Sequence, residues 1–193
     1  MSEPPKTIGP DLRTLYATFP GAGEPPVCDE VPAAAVPPPY HRLLVHEHHM
    51  TVTVEAHHGR PVYLRVLRRH RAGPWYARMI LLLPVGTDRV VQFGIMRINL
   101  DLCGTQVRRE IVAENTPLGR ILIKHNVLRR IEPTAFLRVT PNADLMTWFD
   151  LAEPRTTYGR LAIIHCDDKP AVELLEIVAP EPPDPAADPP AAS

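Results

Sequence analysis

Cysteine is scarce. Cys28, Cys103 and Cys166 are widely separated and odd in number, which argues against a disulfide-stapled scaffold, and the absence of a C-x-x-C pair removes the usual paired-thiolate zinc site. No apolar run approaches the ~18 residues that a membrane-spanning helix needs. An excess of one charge is also missing. The 21 Lys+Arg residues face 22 Asp+Glu, which gives no general pull toward nucleic acid or an anionic membrane. The opening residues, MSEPPKTIGPDL, lack the basic and apolar regions of a secretory leader. Together these absences predict a reduced, cytoplasmic protein with neither a nucleic-acid nor a membrane partner.

Proline, by contrast, is abundant and uneven. Residues 1–40 hold ten prolines, and the last 15 residues, APEPPDPAADPPAAS, hold six more. Such segments favour extended conformations and are poor core builders. Composition therefore predicts a largely disordered segment over 1–38, a folded domain over 39–180 and a disordered tail over 181–193. One short amphipathic helix is expected within DLRTLYATF.

Inside the domain the pattern is mixed. MTVTVEAHH and PVYLRVLRR are β-branched runs around His58-Gly59-Arg60 and read as a hairpin. WYARMILLLP and RVVQFGIMRINLDL read as two further strands joined through Gly86-Thr87-Asp88. QVRREIVAEN has helical spacing, with Val107, Ile111 and Val112 on one side, and TPLGRILIKHN reads as a second helix. After a polar, irregular stretch come RLAIIHC and AVELLEIVA, two strands joined by Asp167-Asp168-Lys169. This order predicts an α+β fold, an antiparallel sheet with helices inserted between strands and covering one face.

The most conspicuous string is HEHHMTVTVEAHH, residues 46–58, with five of the nine histidines. It does not fit the usual metal motifs. A helical H-E-x-x-H would need histidine at position 50, which is Met50. The H-x-H of His46 and His48 would need a glutamate four or five residues later, where Val52 and Thr53 stand. The histidines read as solvated residues at a helix end and a hairpin, and no metal is expected.

The quieter residues around that string carry more. Leu43-Leu44 followed by Met50-Thr51, the strand YARMILLL, the helix entry TPLGRIL and the last strand DKPAVELLEIVAP, with Glu176 four residues before Pro180, occur in order over 43–180. In this set the chain resembles the chorismate pyruvate-lyases. The resemblance implies a chorismate lyase-like fold and conversion of chorismate to 4-hydroxybenzoate and pyruvate, with no cofactor. It also implies that Arg78 and Glu176 serve catalysis and that Met50, Leu118, Gly119 and Arg97 contact substrate.

Each residue also has a reading of its own. Thr116 suits a helix N-cap and Pro117 the first helical position. The N–H groups of Leu118 and Gly119 then point outward and suit a carboxylate, or simply belong to a capped helix. Arg78 shares a strand face with Ile80 and Leu82, so it is either buried with a carboxylate partner or exposed at a strand end. Glu176 shares a face with Val172, Leu174 and Val178. It is either a carboxylate in an apolar pocket with a raised pKa or the partner of a nearby arginine, while Glu173 falls on the other face. Met50 is a pocket wall or ordinary core. Arg97 is an anion ligand or a surface residue.

The same fold also hosts non-catalytic domains that bind an aromatic acid, and that is the alternative reading. Regulators of that kind carry an N-terminal helical DNA reader, for which the proline-rich residues 1–38 are a poor match. The basic run RVLRRHR reads as a solvated strand edge rather than a nucleic-acid contact. An adaptor role for the proline-rich segments lacks the basic flanking residues such ligands use.

Overall fold

The computed structural model describes residues 9–181, and everything that follows concerns those residues. Leu12–Ala17 is α1, capped by Asp11, whose carboxylate accepts from the Thr14 amide at 2.9 Å. Val27–Val31 is β1, Tyr40–Leu44 is α2 and Met50–His58 is α3. Val62–Ala72, Trp75–Pro84 and Gln92–Asn99 are β2, β3 and β4. Thr105–Ala113 and Leu118–Lys124 are α4 and α5. Arg129–Thr140 is β5, Ala143–Trp148 is α6, and Thr157–Cys166 and Lys169–Val178 are β6 and β7.

The strands join in one antiparallel sheet in the order β1-β5-β6-β7-β4-β3-β2. The chain is therefore α+β, with helices inserted between antiparallel strands, as its pattern predicts, but the helices cover both faces of the sheet rather than one. The turn between β6 and β7 is formed by Asp167 and Asp168, both left-handed at φ 48° and 60°. That conformation gives a two-residue hairpin the twist its strands need, and Asp tolerates it.

Alternation along each strand divides the side chains between two faces. On one face Ala77, Met79, Leu81, Phe93, Ile95, Leu161, Leu175 and Ile177 pack with Leu15, Tyr16 and Phe19 around α1 and with Leu145 and Phe149 around α6. On the other, Met96, Ala162, Ile164, Val172 and Leu174 pack under α4 and α5. Leu82, Val91 and Val178 pack under α2 and α3.

Four expectations are corrected. MTVTVEAHH is helix α3 rather than a strand. Its β-branched residues favour a strand, but the buried positions are Met50, Thr51 and Val54, a helical spacing, and Gly59 ends the helix at φ 64°. The stretch read as irregular contains the 12-residue strand β5 and the helix α6. Its strand character is masked by Pro133, which sits at a register shift between Pro133 and Ala135. The proline is tolerated because β1 pairs only from Phe136 onward, leaving the first half of β5 as an edge.

The third correction concerns the N-terminal segment. Residues 9–38 carry α1 and β1, and Leu15, Tyr16 and Phe19 are core residues. Prolines punctuate this segment without preventing its packing. Glu181 is also held in place, while residues 1–8 and 182–193 of the expected tails lie outside the described residues. Val112, expected on the apolar side of α4, is exposed.

Candidate functional site

Antiparallel register places the site on the face under α3 and α5. Ile80 on β3 pairs with Gly94 on β4, Gly94 with Glu176 on β7, and Glu176 with Arg160 on β6. One rung away, Arg78 pairs with Met96, and Met96 with Leu174. Paired residues in a ladder point to the same side, so Arg78 and Glu176 lie on one face. Strand spacing of ~4.8 Å and a rise of ~3.4 Å per residue put their Cα atoms roughly 12 Å apart across β4. Gly94 lies between them and contributes no side chain.

A pocket opens at this place. Its floor is Arg78, Ile80, Leu82, Gln92, Gly94, Met96, Leu174 and Glu176, and its roof is His49, Met50 and Thr51 with Pro117, Leu118 and Gly119. The volume open to the centre of a water molecule is about 50 Å³, several times the ~10–15 Å³ that one water requires. Roof and floor meet tightly. A Cβ on Gly119 would stand 3.0 Å from the Cβ of His49, so a larger residue at 119 would push the start of α3 away.

Five of the six residues singled out in the sequence converge here: Arg78, Glu176, Met50, Leu118 and Gly119. Arg78 is 2 % exposed. Its Nη1 donates to the Ile111 carbonyl at 3.3 Å and its Nη2 to the Thr116 carbonyl at 3.5 Å, while Nε is buried without a partner. Burial disfavours its charge and is the main influence lowering its pKa. Among the described residues no carboxylate forms an ion pair with it.

Glu176 lies on the expected face and has the other of its two readings. It is paired, its Oε2 accepting from Arg160 Nε at 2.7 Å. The sixth residue, Arg97, is not in the pocket. Its Nε donates to Glu173 at 2.6 Å, and its guanidinium lies 5.0 Å from the Trp75 ring centre. Arg97 is directly opposite Glu173 across β4 and β7, on the reverse side of both strands from Glu176. Thr116 does not cap α5. Pro117 occupies that position without a side-chain cap bond, and the Thr116 carbonyl serves Arg78 instead.

Arg160 is the most consequential residue that sequence reasoning passed over. It is fully buried and, besides Glu176, donates to the carbonyls of Leu44 at 3.2 Å, His46 at 2.8 Å and His48 at 3.1 Å. It therefore ties the pocket glutamate to the loop that leads into Met50. The clue was available, since Arg160, Ala162 and Ile164 alternate along one face as Arg78, Ile80 and Leu82 do. RLAIIHC, however, begins at Arg160, whereas β6 begins at Thr157 and places the residue inside the strand.

Two more polar groups line the pocket. Gln92 is 3 % exposed, and its side-chain oxygen is buried without a partner. His49 is 8 % exposed and accepts at Nε2 from Arg129 Nε at 2.6 Å. Burial, then the charges of Arg129 and Arg160, lowers its pKa to about 4, so it is a neutral acceptor near neutrality. His46 is held at about 4 for the same first reason, with its Nε2 2.7 Å from the Leu43 carbonyl.

No family model matches this chain, and no curated protein matches it. Solved structures are similar to it at low identity. The effector domain of PhnF from Mycobacterium smegmatis is 10% identical, with a TM-score of 0.49 over 68% of this chain and 88% of that one. A GntR-family transcriptional regulator from Bacillus cereus is 9% identical, with a TM-score of 0.43 over 62% and 92%. The C-terminal domain of Yurk from Bacillus subtilis is 13% identical, with a TM-score of 0.43 over 60% and 88%. No helix among the described residues is long and apolar enough to cross a membrane.

Proposed function

We propose that the pocket binds a small cyclic carboxylic acid bearing a hydroxyl group, and that the protein acts on one such acid, chorismate, as a pyruvate-lyase. Arg78 carries the reading. A guanidinium buried this deeply, with Nε unpartnered and no ion pair among the described residues, is costly unless something completes it; Glu114, which accepts from the Tyr76 hydroxyl, acts on it without forming an ion pair. A ligand carboxylate does so in the fork geometry that arginine favours.

Glu176, tied to Arg160, offers an acceptor for a ring hydroxyl at the other end. Ile80, Leu82, Met96 and Leu174 supply apolar walls for the ring. The elimination needs no co-reactant. The hydrogen on C4 passes to the enolpyruvyl methylene, the C3–O bond breaks, pyruvate leaves and the ring becomes aromatic. The protein's part is to hold the dianion, fix the reactive conformer and exclude water.

The second reading is a non-catalytic domain that binds the same class of acid. The Arg160–Glu176 pair favours it, because a glutamate held by a buried arginine is fixed to accept a ligand hydroxyl, which binding alone uses. One experiment separates the two. The purified protein is incubated with chorismate, 4-hydroxybenzoate and pyruvate are quantified, and 4-hydroxybenzoate binding is measured by calorimetry. Equal release of both products supports the lyase. Binding without turnover supports the sensor, and neither result would remove both.

A further inference from the structure

The second half of the histidine string lies outside the pocket. His57 and His58 form the last turn of α3, and their rings meet edge to face with centroids 4.7 Å apart. Opposite them is Glu181, just beyond β7. The Glu181 amide donates to Tyr40 Oη at 2.9 Å, and its carbonyl accepts from Arg155 Nη2 at 3.2 Å. Its peptide groups on both sides are thus fastened to the domain. The three side chains are mostly buried, at 17 % exposure for His57, 12 % for His58 and 9 % for Glu181.

The spacing is informative. His57 Nε2 lies 3.7 Å from Glu181 Oε2, and His58 Nε2 lies 3.8 Å from Oε1. Both separations are too long for hydrogen bonds. The three ligand atoms nevertheless all fall within 4.8 Å of one another. Donor atoms around a tetrahedral zinc ion, with bonds of ~2.0–2.1 Å, stand about 3.3 Å apart. Reaching that geometry shortens the two His–Glu distances, which run to different carboxylate oxygens, by about half an ångström and the widest separation by up to about 1.5 Å, a movement that side-chain rotation supplies.

We propose that His57, His58 and Glu181 form a binding site for a divalent transition-metal ion, which clamps the start of the C-terminal segment to the end of α3. Two imidazoles and one carboxylate suit zinc, cobalt, nickel or copper better than calcium or magnesium, which prefer oxygen-rich shells. Water completes the coordination. Arg89 also reaches Glu181 Oε1, at 3.5 Å, but its side chain is 55 % exposed and swings into solvent as the cation arrives. None of the three ligands lines the substrate pocket, so this inference stands apart from the lyase reading.

The test uses untagged full-length protein stripped with a chelator, then titrated with Co²⁺ while visible absorption and melting temperature are followed. One equivalent should bind with a ligand-field band, and zinc should compete for it. His58→Ala and the conservative Glu181→Gln should each weaken binding more than ~10-fold, at least what loss of an outer-sphere partner costs. Circular dichroism establishes that both variants are folded. A His46→Ala/His48→Ala control should bind normally. No band at excess Co²⁺, or binding that survives Glu181→Gln and disappears in the control, overturns the proposal.

Discussion

Against α1 and α6 the sheet buries Leu81, Phe93, Leu161 and Ile177, with Phe93 stacked on Trp148 at 5.0 Å. Against α2 to α5 it buries Arg78, Arg160, Glu176 and Gln92 among its aliphatic residues. The two faces share the same strands and differ by one residue of register. Packing alone has no use for the polar set, because well-packed apolar residues in place of a buried ion pair are often neutral or stabilising. The first face holds the sheet together. The second gives up some of that stability to place charge in a pocket.

Removing part of the apolar face should do the most damage. Deleting residues 1–38 takes away β1 and the buried side chains of Leu15, Tyr16 and Phe19. At ~1.5–3 kcal/mol for each fully buried large side chain, the loss is on the order of 5–9 kcal/mol, comparable to the whole stability of a typical domain. The truncated protein should show no cooperative melting transition. Normal melting would mean that α1 is dispensable and that the two faces are less distinct than their packing shows.

Breaking the polar face should come next. Arg160→Met strands Glu176 and frees three loop carbonyls, so a loss of ~3–5 kcal/mol is expected in chemical denaturation. Adding Glu176→Leu should recover part of the stability while leaving no ligand binding. If the double variant is no more stable than the single one, the charges are structural and the comparison fails.

Arg78 separates function from stability. Arg78→Lys keeps the charge without the fork, and Arg78→Ala removes both. Chorismate turnover, or 4-hydroxybenzoate affinity, should fall with Lys and further with Ala, by ~2–3 kcal/mol if the site is desolvated. The melting temperature should stay the same or rise. Arg97→Ala is the control and should be within ~1 kcal/mol of neutral, because its ion pair is partly exposed and lies on the reverse side of the sheet from the pocket.

The pH dependence probes the polar face further. His46 and His49 have ordinary values of 6.5 and are lowered to about 4 in the folded chain, first by burial. Between those values the unfolded chain holds more protons than the folded one. Stability should therefore decline as pH falls from 6.5 towards 4, and these two residues should add no further loss below that. His49→Asn should flatten the decline in denaturant midpoint. An unchanged slope would show that the roof of the pocket does not carry it.

Much of the fold was legible because it rests on local chemistry. The β2, β3, β4, β6 and β7 strands have the expected alternation, α4 and α5 the expected spacing, and the double aspartate marks its hairpin. The failures share a cause. In α3, β-branched residues pointed to a strand, and the decisive fact is which of them the sheet covers. In β5, a proline hid a strand whose first half lacks a neighbour. In the N-terminal segment, proline content concealed core residues, Leu15, Tyr16, Phe19, Ala22 and Val36, whose partners lie far along the chain.

The sequence by itself determined the α+β class, five of the seven strands and the face on which Arg78 and Glu176 lie, because a period of two fixes sidedness without knowledge of neighbours. Only the tertiary structure decided what those side chains meet. Arg160 reaches Glu176 across a strand pair and the loop before Met50 across 112 to 116 positions of chain. Arg97 is withdrawn by Glu173, and His57 and His58 find Glu181. Such partnerships depend on which distant segments pack together, and no local pattern of residues records that.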